Sequence, residues 1–203
     1  MDTRLRILKE AGILFSRMGI RAVTMDYIAC QLGVSKRTIY ELFSDKDDLL
    51  FQAISEGMNY HKEQMIAMIE SSENVIDAIF KFAVFHNRII EKIHPMFLED
   101  LKKYHSNVYN SLNNNRVFDD DTILEHMLNR GIIDGMFRSD ISVKLAGVFM
   151  RQTVKFCSLQ HNDGENQFTK EDISNTIFLP YLRGICTEEG LTILNNFKAD
   201  ALY

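Results

Sequence analysis

Six histidines, three cysteines and 28 carboxylates could build a metal or catalytic site if their spacing allowed it. It does not. The chain has no His-Glu-x-x-His pattern, no Cys-x-x-Cys pair and no Ser-His-Asp arrangement with its supporting signatures. Cys30, Cys157 and Cys186 are far apart and odd in number, which fits free, packed thiols in a reducing compartment. Nothing around Cys30 lowers a thiol pKa as a redox sensor requires. Asp119, Asp120 and Asp121 lack the ligand spacing of a calcium loop and read as a helix start before Ile123. The expectation is a chain that is not an enzyme and needs no metal or cofactor.

The chemistry concentrates instead in one short run, Gly33-Val34-Ser35-Lys36-Arg37-Thr38-Ile39-Tyr40. Gly33 suits a tight turn and Val34 a corner plug. Ser35 suits the cap of a helix whose positive end faces a phosphate. Thr, Tyr, Lys and Arg then supply the short and long donors that phosphates and base edges accept. Two short helices joined by such a turn, with a charged and aromatic outer face on the second, describe a helix-turn-helix. Charge agrees. Residues 1–46 carry eight Lys/Arg against five Asp/Glu, whereas the whole chain has 23 against 28. A basic end on an acidic body suits local binding to a polyanion.

The elements that must position this run are helical throughout. Only two prolines and ten glycines occur in 203 residues, too few breakers for a multi-turn β architecture. Leu5, Leu8, Ile13, Leu14, Phe15 and Met18 follow a helical period that ends at Gly19. Thr24 caps a second helix with the buried stripe Met25, Ile28, Ala29 and Leu32. Ser35 caps the third, which turns Ile39, Leu42 and Phe43 inward. A long fourth helix runs from Lys46 toward Ser71, with Ile54, Met58, His61, Met65 and Met68 on its stripe. Five more follow: Asn74 to Ile93, Pro95 to Lys103, Ser106 toward Arg130 with a break at Asn113 to Asn115, Ile141 to Leu159, and Lys170 to Cys186 with a kink at Pro180. Gly131 to Asp140 reads as a turn and His161 to Gln167 as a loop. The expected fold is all-α with about nine helices. An N-terminal three-helix bundle with the helix-turn-helix (1–46) precedes a helical ligand-binding and dimerisation domain (47–203).

Three blocks resemble the TetR family of bacterial transcription regulators: Thr24-x-x-x-Ile28-Ala29, then Gly33 to Tyr40, then Phe43-x-x-Lys46-x-x-Leu49. The resemblance is specific over these 26 residues. Beyond them it extends only to helix order and the turn at Gly131 to Phe137. It implies phosphate contacts from Thr24, Thr38, Tyr40 and Lys46, and base-edge contacts from Lys36 and Arg37, joined by Thr38 and Tyr40. It also implies a homodimer through the last two helices, with Phe149, Phe156, Ile177, Phe178 and Tyr181 at the interface. Local readings stand beside these. Thr24 suits a plain N-cap, and Lys46 could pair with Asp47 or Glu41.

In the C-terminal part, His86 shares a stripe with Phe82 and Ile89. With Met58 and Met65 it could line an adaptable apolar site for a small hydrophobic effector, or simply pack as core. The expected function is a sequence-specific regulator that binds double-stranded operator DNA, a repressor released from a palindromic site by that effector. The alternative is a DNA-binding regulator governed by a protein partner without a small ligand. No apolar run approaches the length of a membrane span, and charges interrupt the N-terminus where a secretory leader is apolar. A cytoplasmic protein without membrane contact is expected.

Overall fold

The computed structural model describes residues 2–115, 122–159 and 168–197. The expected helix start at Asp119–Asp121 and the expected loop at His161–Gln167 lie outside these residues. The described residues are helical, as composition demanded, and contain no strand beyond one isolated antiparallel bridge between Phe137 and Cys186.

The helices are α1 (Thr3–Met18), α2 (Met25–Leu32), α3 (Lys36–Leu42), α4 (Lys46–Ser71), α5 (Val75–Ile90), α6 (Phe97–Tyr104), α7 (Ser106–Asn114), α8 (Thr122–Ile133) and α9 (Val143–Leu159). Then come α10 (Lys170–Ile173), a π-helical turn (Ser174–Phe178), α11 (Leu179–Ile185) and α12 (Glu188–Leu194). The break expected at Asn113 to Asn115 is where α7 ends, with Asn115 as its C-cap. Two details depart from the sequence reading. The helix expected to run from Lys170 to Cys186 passes through a π turn immediately before Pro180, whose missing N–H disturbs the regular ladder there. A last helix, α12, is added. Thr187 caps it by accepting from the Gly190 N–H at 3.1 Å.

Contacts divide the chain into two compact units. The first takes in Met1–Glu63 and Glu91–Asp120, so it reaches beyond residues 1–46 to include α6 and α7. Its core joins Ile7, Ala11 and Phe15 of α1, Ile28 of α2, Ile39 and Phe43 at α3, and Leu49 and Leu50 of α4. Leu101, Val108 and Leu112 from α6 and α7 complete it. Polar pins reinforce this packing. The His94 N–H donates to the Ser16 carbonyl at 2.6 Å, and the Arg21 N–H to the buried Asp100 carboxylate at 3.4 Å. His105 Nδ1 lies 2.5 Å from the Asp47 carboxylate.

The second unit comprises Gln64–Ile90 and Asp121–Tyr203. Its core is built by Met65 and Ile69, by Val75, Ile76, Ile79 and Phe80 of α5, and by Leu124, Met127 and Leu128 of α8. Met150, Leu179, Leu182 and Leu194 close it. The Arg130 guanidinium donates to the Ile69 and Ser72 carbonyls and so satisfies the end of α4, where helix carbonyls lack intrahelical donors.

Candidate nucleic-acid interface

The candidate reading element is α3, and its placement follows from two caps and two buried side chains. Thr24 Oγ1 accepts from the Tyr27 N–H at 3.1 Å and starts α2. Gly33, at φ 63° and ψ 32°, ends it in the left-handed region that side chains avoid, and the Val34 N–H returns to the Ala29 carbonyl at 3.1 Å. Ser35 then accepts from the Thr38 N–H at 3.0 Å, and its hydroxyl shares a 2.8 Å hydrogen bond with that of Thr38. Ile39 and Phe43 are fully buried and fix the rotation of α3 about its axis. The opposite face therefore points outward, with Lys36, Arg37 and Tyr40 exposed and Thr38 half-buried beside them.

The outward face is not a bare cationic surface. Lys36 Nζ lies 2.7 Å from one Asp26 carboxylate oxygen and 3.0 Å from the other, and 6.0 Å from the Tyr40 ring centroid. The hydrogen bond to Asp26 raises the Lys36 pKa above its ordinary value. Arg37 Nε donates to Glu41 at 2.8 Å across one helical turn. The sequence reading placed Glu41 on this face and gave it to Lys46 as a partner, but missed both of these pairings. The Arg37–Glu41 spacing of four was a legible signal, whereas Asp26 and Lys36 meet only through the turn between α2 and α3.

Lys46 sits differently from Lys36 and Arg37. Its ammonium donates to the Ile20 carbonyl at 2.7 Å and is partly buried, while Asp47, one of its expected partners, is taken up by His105. Thr24 and Tyr40 remain exposed, so among the six expected DNA contacts Lys36, Arg37, Tyr40 and Thr24 are presented to solvent. Met25 is buried and takes no part in the outer face.

Residues 7–53 match the family described as "Bacterial regulatory proteins, tetR family". The DNA-binding segment of the chain is thus that of the TetR family. A relative in Bacillus subtilis, the uncharacterized HTH-type transcriptional regulator YvaF, is 32% identical over 109 residues. That match takes in 53% of this chain and 56% of the relative, so the chain spans little more than half of that protein. The HTH-type transcriptional repressor KstR2 of Mycobacterium tuberculosis is 22% identical over 91% of this chain and 93% of its own. Among solved structures, the transcriptional regulator FadR of Bacillus subtilis in complex with stearoyl-CoA superposes with a TM-score of 0.63 at 19% identity, covering 89% of this chain and 98% of that one. At that identity the likeness is one of fold, and it extends well past the helix-turn-helix.

The expected effector residues fall in both units. Phe82 and His86 stack on α5 with centroids 5.8 Å apart and planes 9° from parallel. Phe82 packs against the cluster that buries Met65. Ile89 is half-buried further along α5, and Met58 lies on the stretch of α4 that belongs to the first unit. An open groove of about 450 Å³ in the first unit is lined by Asp45, Asp47, Asp48, Phe51, Asn107 and Ser111 and by none of the five. Its acidic lining suits neither a polyanion nor an apolar effector.

In the second unit, α9 leaves Leu145, Val148, Phe149 and Phe156 exposed, and Ile177 joins them from the π turn. Phe178 and Tyr181 are half-buried. Tyr181 packs against Phe149 at 4.6 Å between ring centroids and donates its hydroxyl to the Ala146 carbonyl at 3.1 Å. Burial pushes the Tyr181 phenol up to about 12. Among the described residues no helix is long and apolar enough to cross a membrane, and no group of three or more potential ligands could hold a metal ion.

Proposed function

We propose that the chain is a homodimeric repressor that reads a palindromic operator through Lys36 and Arg37 and leaves it when a small hydrophobic effector binds. One observation carries the proposal. Both caps and both buried anchors of α3 serve to hold a single face outward, and that face bears a lysine, an arginine and a tyrosine. In a major groove such a face meets guanine edges and flanking phosphates, with Thr24 and Tyr40 on the backbone.

Dimerisation follows from the limits of one reading helix, which touches too few base pairs for strong selectivity. A twofold pair doubles the contacts and imposes a palindrome. The exposed apolar face of α9, joined by Ile177 and flanked by Phe178 and Tyr181, offers the apolar area that such a pair would bury. Repression is supported by the function printed for KstR2. A hydrophobic effector is supported by the stearoyl-CoA bound in the FadR complex and by the apolar setting of Met65, Phe82, His86 and Ile89. The carrier of the switch is α4, which follows α3 after a three-residue connection and continues to Ser71. An effector must favour the DNA-incompetent state by about 1–3 kcal/mol to give a useful response.

Selection of bound duplex from a random pool, followed by footprinting upstream of the protein's own gene, tests the DNA half of the proposal. It is expected to return a palindrome with half-sites on successive major-groove faces. Titration of stearoyl-CoA by calorimetry, with and without the selected duplex, tests the effector half. Weaker binding in the presence of DNA supports the switch, and equal affinity in both cases removes it for that ligand.

A further inference from the structure

Every cation on the reading face of α3 is already held by an acid of the same chain. Lys36 is gripped by both oxygens of Asp26 at 2.7 and 3.0 Å, and Arg37 by Glu41 at 2.8 Å. The two pairs differ in origin but act alike. One bridges α2 to α3, the other spans a turn of α3, and together they leave the outward face without net charge. We infer that Asp26 and Glu41 are specificity-determining residues: they hold Lys36 and Arg37 away from arbitrary phosphates and release them only to the base edges of a matching site. The inference rests on the assignment of Lys36 and Arg37 to the reading face.

The physical argument is one of exchange. All four side chains are more than half exposed, between 58% and 87%. Ion pairs in such water-rich settings are weak, so they open readily when a better partner is offered. A phosphate on a random duplex offers one carboxylate-like anion in place of another and gains little. A guanine edge offers a planar bidentate partner to a fork of donors, which a single carboxylate contact through Nε does not match. The acids therefore subtract from sequence-independent binding more than from matched binding. A released carboxylate next to the groove also repels phosphates wherever the bases fail to engage the cation. Since sequence-independent affinity is almost entirely counterion release, silencing one cation removes about one unit from its salt slope.

The test uses the full chain and three variants, Asp26→Asn, Glu41→Gln and the double substitution, which keep side-chain shape and remove charge. Fluorescence anisotropy is read on a random-sequence duplex and on the selected operator across a range of salt. Each substitution is expected to tighten random-duplex binding roughly eightfold at about 0.1 M salt and to steepen the salt slope by about one, the signature of one more cation on phosphate. The double variant gains both effects, and its operator-to-random preference falls. Random-duplex affinity within twofold of the unsubstituted chain, with an unchanged slope, overturns the inference. So does a loss of operator affinity alone, which would make the acids direct base contacts. Arg37→Ala, measured alongside, separates the two claims. If it keeps the operator preference, the assignment of the reading face fails, while the random-duplex arm still decides whether Asp26 and Glu41 restrain cations.

Discussion

The Lys46 ammonium donates a 2.7 Å hydrogen bond to the Ile20 carbonyl, tying the first turn of α4 to the connection between α1 and α2. The Phe15 ring lies beneath it at 5.9 Å. Burial holds the Lys46 pKa below the ordinary lysine value, with Asp47 and Asp100 pulling the other way. A cation placed here ties the start of α4 to the connection between α1 and α2 whether or not it also meets a phosphate.

Lys46→Met should lose that hydrogen bond and lower stability by about 1 kcal/mol. If the amine also reaches a phosphate, binding to operator and random duplex should weaken equally and the salt slope should flatten by about one. Thermal unfolding and a salt titration read the two effects separately. A lower melting temperature with an unchanged slope would confine Lys46 to closing the turn.

Acid should loosen the same junction through Asp48. Its carboxylate accepts from the Ser44 N–H at 2.9 Å and from Gln52 at 2.5 Å, and the Ser44 contact above all holds its pKa below the ordinary carboxylate value. A depressed folded-state pKa means that the unfolded chain takes up the proton first. The contribution is present above the unfolded value and is lost as pH falls through the folded one. Asp48→Asn should therefore show a flatter loss of stability below about pH 4 than the parent chain. Equal acid limbs in urea titrations would show that Asp48 contributes nothing there.

Gly131→Ala should strike the core of the second unit. A β-carbon at this position would stand 2.2 Å from Cδ2 of the buried Phe137 ring and 2.9 Å from Val75. Relief requires displacing a packed aromatic, which costs roughly 1–3 kcal/mol. Chemical denaturation measures it, and a neutral substitution would mean that Phe137 moves without resistance.

The helix-turn-helix was legible because its signals are local. Thr24, Gly33 and Ser35 each act within four residues of their partners, and the structure places a cap or turn at all three. The π turn before Pro180 likewise sits where a proline perturbs a helix. What escaped depends on contacts distant in sequence. Nothing near Leu101 or Leu112 announces that α6 and α7 share a core with Phe15 and Ile39. Asp26 and Lys36 are ten residues apart and meet only because the Gly33 turn folds one helix over the other. The start of α12 was the opposite case, since Thr187 followed by Glu188 and Glu189 is an ordinary helix-start signal that the reading passed over.

The exposed face of α9 should fail as an interface when charged. Leu145, at 70% exposure, supports nothing inside the protomer, so Leu145→Glu should fold normally yet dissociate a dimer. Ile173 and Ile185, by contrast, are buried within the protomer, so charging them should unfold it instead. Sedimentation velocity at micromolar concentration reads the change. A parent chain that is already monomeric would remove the twofold account.

If α3 reads sequence through Arg37, competition binding will show it. The parent chain and Arg37→Ala are each challenged with the selected operator, with single-position operator variants and with random duplex at fixed salt. Loss of a bidentate base contact should cost about 1–3 kcal/mol on the operator and relax preference at one position of each half-site. Random-duplex affinity should change far less than operator affinity. Unchanged operator affinity together with an unchanged preference at every position would contradict the account.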